Sequence, residues 1–273
     1  MIKIGFVDYY IDEWHAQNAC NRLPAISEEL GIACEIVGAY AELDASPRGI
    51  TTDEWCEKNG IGKFESVDAL AEVCDAFMIF APDNPETHLR LARAVLPYGK
   101  PTFIDKTFAA SAAEAKEIID IAKHCGTPMF SSSSLRFAKE VQAAKRQPQV
   151  TVHGGYAVMK DYLVHTHEIL VTVIGTGACG VQAEINGDEY IFDIMYPDGR
   201  GAKMYMTPGY PPYIVNGVHI ESDFFCHQLK AILLFFSGDA VPFDASETIE
   251  VARLIDASLA AIKSPGATVN ILQ

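Results

Sequence analysis

The chain has 273 residues, 49% of them hydrophobic and 21% charged, with a formal net charge of −15. That length accommodates two domains with separate cores, and the composition is that of an ordinary globular protein. The acidic balance excludes nucleic acid and anionic membrane surfaces as partners, since both demand basic patches, and it disfavours polyanionic substrates.

Seven scattered cysteines without a C-x-x-C pair suit reduced thiols rather than a disulfide frame. The start, MIKIGFV, enters a strand at once and lacks a signal-peptide layout. No apolar run reaches membrane-spanning length, the run at 231–236 included. A cytoplasmic protein with a small-molecule substrate, without nucleic acid or membrane, is the expectation.

Residues 2–7 read as a central parallel strand, β-branched or aromatic at most places. In a dinucleotide-binding fold the next six residues would run G-x-G-x-x-G, for a tight turn, close approach to pyrophosphate and close helix packing. Here they are Asp8-Tyr9-Tyr10-Ile11-Asp12-Glu13, without glycine and with three acids. A helix over 15–30 ending at Gly31 and a strand over 34–40 follow. Glu42, just beyond, is a candidate for gripping ribose, though a solvated loop carboxylate is the simpler reading. Residues 46–63 read as a loop with one short helix, and Ser66 as the N-cap of the next helix.

The run 76–80 reads as a buried strand, followed by a Pro-rich loop and a helix carrying Leu89, Leu91, Ala92, Ala94, Val95 and Leu96. Gly99-Lys100-Pro101 stops that helix, and the short run 102–104 delivers Asp105 and Lys106 at its carboxyl end. Ligands of open parallel sheets lie beyond the carboxyl ends of strands, so Lys106 is aimed at a site. Ser111-Ala-Ala-Glu reads as a capping box opening a helix that ends at Gly126, before a strand at 129–130. Four serines, 131–134, lead into Arg136-Phe137, crowding small hydroxyls suited to a polyhydroxylated ligand or to a polar turn.

Beyond a charged helix to Arg146 the texture changes. Residues 150–160 read as a strand and 162–174 as a helix ending at Gly175. Segments 180–186, 189–196 and 202–206, separated by Asn186-Gly187-Asp188 and Pro197-Asp198-Gly199, read as an antiparallel meander. Helices near 222–237 and 245–263 and a strand at 268–272 close the chain. The fold class is therefore α/β: an N-terminal Rossmann-like doubly wound parallel sheet over 1–130, then an α+β domain over 131–273 with an open, mostly antiparallel sheet.

Asp161, His165 and Glu168 fall at i, i+4 and i+7 and share one helix face. A histidine titrates near neutrality and can trade protons with an alcohol, a neighbouring carboxylate tuning it. A surface pair is the plainer alternative. His165 and His167 point in different directions on one helix, so a metal would need a further ligand such as His153 or His219, and none is expected.

These features together resemble the Gfo/Idh/MocA family of sugar and cyclitol dehydrogenases. Its members carry a Thr-Pro-Asn-x-x-His loop, a helix, a Gly-Lys turn, and Glu-Lys-Pro with the catalytic lysine. Pro82, His88, Gly99-Lys100 and Lys106 keep that order here, with a longer loop, Asp105 for Glu and Thr107 for Pro. The resemblance implies Lys106, Asp161 and His165 as catalytic residues. It sets Pro82, His88 and Asp105 at the cofactor, and Ser134, Arg136 and Glu168 at the substrate. It further implies NAD or NADP as cofactor, a sugar, cyclitol or related hydroxy or keto compound as substrate, and a homo-oligomer. The glycine-free turn at 8–13 predicts that conventional dinucleotide binding is weak or displaced. Two rivals to an oxidoreductase therefore stand: a cofactor-independent isomerase or lyase on this scaffold, and a non-catalytic pseudoenzyme subunit.

Overall fold

The computed structural model describes residues 1–271, so Leu272 of the predicted terminal strand lies outside them. Two units emerge: Met1–Ser131 with Gln228–Phe243, and Ser132–His227 with the chain from Asp244 onward.

The first unit runs β1 (Ile2–Asp8), α1 (Trp14–Leu30), β2 (Cys34–Ala41), α2 (Thr52–Asn59), β3 (Gly62–Lys63), α3 (Val67–Ala71), β4 (Ala76–Ile79), α4 (His88–Val95), β5 (Thr102–Ile104), α5 (Ala112–Cys125) and β6 (Met129–Ser131). Its strands form a parallel sheet in the order β3-β2-β1-β4-β5-β6. This is the doubly wound order whose direction reverses between β1 and β4, where such folds bind ligands. Ile4, Phe6, Val7, Phe77, Ile79, Phe103 and Ile104 are buried, as strands covered on both faces require. Gly31 takes the left-handed conformation that ends α1, a place a side chain would strain. Ser111 caps α5 through the Glu114 N–H at 3.2 Å, while the Glu114 carboxylate reaches the N–H of Ala110 instead of closing the box on Ser111.

The second unit holds α6 (Lys139–Ala143), β7 (Gln149–Tyr156), α7 (Met159–Ile174), β8 (Gly180–Asn186), β9 (Glu189–Met195), β10 (Gly201–Pro208), β11 (Ile214–Val215) and β12 (Val218–His219). After α8 (Phe224–Phe236) come α9 (Ala245–Ile262) and β13 (Thr268–Asn270). The sheet order is β12-β11-β7-β10-β9-β8-β13, with β7 and β10 parallel and the other neighbours antiparallel. α7 and α9 lie on this sheet over a core that includes Val152, Leu163, Leu170, Phe192, Met204 and Leu254.

Two boundaries differ from those the sequence predicts. β7 stops at Tyr156 because its partner β10 ends opposite, at Pro208, and α7 begins at Met159. Asp161 therefore sits within the first turn of the helix and not just before it, which keeps it on the face shared with His165. The segment Gln228–Phe243 belongs to the first unit, although sequence order sets it in the second domain. Phe235 and Phe243 meet Phe130 edge-on at 5.1 and 5.9 Å, and Lys230 pairs with Glu29 at 2.5 Å.

Candidate functional site

In the first unit, the turn between β1 and α1 is built of carboxylates. Asp8 ends β1 almost fully buried, with the N–H of Tyr9 donating to its Oδ1 at 2.7 Å. Burial, then the neighbouring Glu13, holds its pKa well above the ordinary value. Asp12 is taken up by Arg48 and by the Ser46 hydroxyl, at 3.0 and 2.9 Å. Glu13 caps α1: its carboxyl accepts from the N–H of His15 at 2.5 Å and from the N–H of Ala16. Burial pushes Glu13 up to about 7 against the pull of His15 and those two amides.

These residues do not fit a dinucleotide pyrophosphate. The amides that would receive it already hold Glu13, Asp8 lies beside them, and Tyr10 stands where a glycine would let the phosphates approach. Glu42, the sequence's candidate for gripping ribose, is held by the guanidinium of Arg90, which donates from Nε at 2.7 Å. No hydride step follows from this geometry.

At the ends of β4 and β5 the chain fixes Lys106 from several sides. Its Nζ donates to the carbonyl of Pro82 at 2.9 Å and lies 4.0 Å from Asp83, and the Lys106–Thr107 peptide is cis. Asp105, one residue back, meets His15 Nδ1 at 2.6 Å. Burial would raise Asp105, but His15 and Lys106 reverse the balance and its pKa lies below the usual carboxylate value. Burial likewise opposes the charge on His15, yet Asp105 carries its pKa above the ordinary value.

His88 is wholly buried with both ring nitrogens against carbonyls, Nδ1 at 2.8 Å from Thr107 and Nε2 at Phe80. Burial lowers its pKa, and the ring, which donates to one of these carbonyls when neutral and to both only when protonated, links the end of β4 to the turn that carries Lys106. Pro82, His88 and Asp105, which the resemblance sets at a cofactor, thus hold Lys106 and His15 in place. Replacing His88→Ala strands these carbonyls beside a cavity and is expected to cost about 1–3 kcal/mol. An unchanged urea midpoint would refute that role.

In the second unit, α7 presents His165 beside Ser133, whose Oγ lies 2.7 Å from Nδ1. A hydroxyl serves this nitrogen in either ring state, donating when it is bare and accepting when it is protonated. The rings of Tyr162 and Tyr213 stand edge-on at 5.7 and 5.9 Å from His165, and Tyr210 packs on Tyr162 at 5.6 Å. Asp161, four residues before His165, is partly buried, with Lys160 Nζ at 3.9 Å.

His167 faces the core. Its nitrogens meet the Leu163 carbonyl at 2.7 Å and the Ser258 hydroxyl at 3.0 Å, and burial lowers its pKa to about 4. His153 is stacked on Tyr205 at 4.5 Å. Among the described residues, no group of three or more His, Cys, Asp or Glu is disposed to hold a metal ion.

Arg136 and Glu168, expected at the substrate, are buried against each other. Arg136 Nε donates to Glu168 at 2.5 Å and Nη1 to Glu247 at 2.6 Å. Burial raises Glu168 and Arg136 opposes the rise. Ser134 opens a short 3-10 turn half-buried, and the hydroxyl that meets His165 is that of Ser133. Sequence reasoning missed Ser133, His15 and the cap made by Glu13. Only the serine run gave any sign of the first.

Residues 6–133 match the model of an oxidoreductase family with an NAD-binding Rossmann fold, GFO_IDH_MocA. Among curated proteins none matches the chain by sequence. Among solved structures, UDP-N-acetylglucosamine 3-dehydrogenase GnnA from Acidithiobacillus ferrooxidans superposes with a TM-score of 0.73 at 14% identity, over 97% of each chain. A putative myo-inositol dehydrogenase from Sinorhizobium meliloti gives 0.75 at 13%, over 100% of both. GenD2 of gentamicin A biosynthesis, in complex with NAD, gives 0.77 at 11%, over 100% of this chain and 97% of its own. At such identities the likeness is one of fold.

Proposed function

The chain belongs through residues 6–133 to the Gfo/Idh/MocA oxidoreductase family, and on that premise we propose that it is an enzyme acting on a sugar, cyclitol or related hydroxy or keto compound. The observation that carries this is His165, held at Nδ1 by Ser133 and walled by Tyr162 and Tyr213. A ring oriented in this way by a hydroxyl suits proton exchange with a substrate hydroxyl. Aromatic rings beside a proton donor suit a ring of alternating C–H and O–H groups, and the inositol and amino-sugar dehydrogenases of like fold support that class. Lys106 is assigned the stabilisation of negative charge on the reacting oxygen, and Asp161 the tuning of His165.

A second reading is favoured by Glu13 on the first amides of α1: proton transfer alone, in an isomerase or lyase that needs no dinucleotide. One experiment addresses both. A panel of aldoses, ketoses and cyclitols is incubated in deuterated solvent and followed by NMR for C–H exchange, and by absorbance with NAD⁺ or NADP⁺ added. Turnover in either readout should fall on the order of 10²-fold in Lys106→Met and in His165→Ala, with the near-neutral limb of the pH profile lost in the latter. Full activity in either variant overturns the assignment. Loss of that limb in His167→Ala alone would place the chemistry on the wrong face of α7.

A further inference from the structure

The first N–H groups of a helix have no partners within it and carry the positive end of its dipole, which is why phosphates settle there. In α1 those of His15 and Ala16 face the Glu13 side chain, which is only 7% exposed. The family's six-residue turn has glycine first, third and sixth. This chain has Asp8, Tyr10 and Glu13 at those places, so the residue that fills the anion position replaces the last glycine.

The turn is also fixed from behind. The N–H groups of Glu42 and Leu43 donate to the carbonyls of Asp8 and Tyr9 at 3.1 and 2.8 Å. Arg48 reaches across to the Asp12 carbonyl at 2.9 Å and pairs with its carboxylate. An incoming phosphate would therefore have to displace a buried side chain already bonded to the two amides, within a turn held on both sides.

We infer that the Glu13 carboxyl is a built-in occupant of the cofactor-phosphate position, filling the anion site of α1 and keeping pyrophosphate-bearing ligands off this turn. This rests on the family assignment of the first unit and not on the acid/base role of His165, so either can fail without the other. Occupancy is distinct from simple repulsion. An uncharged side chain that still reaches the amides should block as well as the carboxylate, whereas one that cannot reach them should not.

The test titrates the full-length protein at pH 8 with NADH and with inorganic pyrophosphate by calorimetry, comparing wild type, Glu13→Gln and Glu13→Gly. Glycine is itself a favoured N-cap residue, and it vacates both amides. The expected result is no micromolar binding by wild type or Glu13→Gln, and affinity at least about tenfold higher for both probes in Glu13→Gly. Micromolar binding of NADH by the wild type overturns the inference by itself, even if Glu13→Gly does not fold. A folded Glu13→Gly, by its thermal midpoint, that binds no more tightly also overturns it. So does a Glu13→Gln variant that gains as much as Glu13→Gly, since charge alone would then be the barrier.

Discussion

Replacing Arg136 by methionine is expected to cost the protein about 3–5 kcal/mol, the effect of removing one partner from a buried ion pair. Arg136 lies 3% exposed between Glu168, which is 2% exposed, and Glu247. Methionine fills much of the aliphatic volume but leaves the Glu168 carboxylate in the core without its cation. Glu168 must then take up a proton or draw in water, and its pKa, already raised by burial, rises further. Glu247, whose side chain is 27% exposed, can rehydrate and contributes less to the loss. The double variant Arg136→Met/Glu168→Leu should recover most of the stability, because the cost lies in the orphaned charge and not in the absence of the pair. Urea unfolding of both decides it. A loss below about 1 kcal/mol in the single variant would mean that Glu168 is hydrated and the triad is not a core element.

This triad shows where sequence reading stops. Its members stand 32 and 111 residues apart, and nothing local announces that they meet. Ser133 reaches His165 across the same 32-residue gap. The strands β1, β4 and β5 and the placing of Lys106 were legible, because apolar runs ended by turn residues are local signals. The face of α7 was legible too, since helical spacing alone puts Asp161, His165 and Glu168 on one side. That two of those residues would face the same way and still differ, His165 beside a serine and Glu168 in the core, depends on what packs above each turn. Glu13 escaped for another reason: N-caps are read from Ser, Thr, Asp and Asn, and a glutamate before a helix passes as an ordinary acid. The absent glycines predicted trouble for a dinucleotide, but not that the chain itself would supply the anion.

The stability of Glu13→Gln relative to wild type is expected to rise by about 3 kcal/mol as pH is raised from about 4.5 to about 7, and to stay level above that. The folded state lifts the Glu13 carboxyl from 4.5 to about 7, chiefly through burial. A tenfold difference in proton affinity between the folded and unfolded states corresponds to about 1.4 kcal/mol. For an acid raised in this way the folded state binds the proton more tightly than the unfolded state does. Its contribution is most favourable below the unfolded value and is lost as pH climbs to the folded one. The total slope of the wild type cannot show this, because other buried groups titrate in the same window. Asp8 and Glu168 are raised and act in the same sense, as does His15, whose raised pKa makes its contribution fade above its unfolded value. His167, lowered to about 4, and His88, also lowered, oppose them, gaining stability as pH rises through the range where the unfolded imidazoles lose their protons. Asp105 is lowered and acts only at more acid pH. Subtracting wild type from Glu13→Gln cancels the groups distant from position 13 and leaves the Glu13 carboxyl together with its charge interactions with Asp8 and His15, while the amide oxygen still caps the N–H groups of His15 and Ala16. Denaturant unfolding at four or five values between pH 4.5 and 8 measures the difference. If it is constant across that range, Glu13 is already ionised at low pH, and the two amides outweigh the burial that surrounds it.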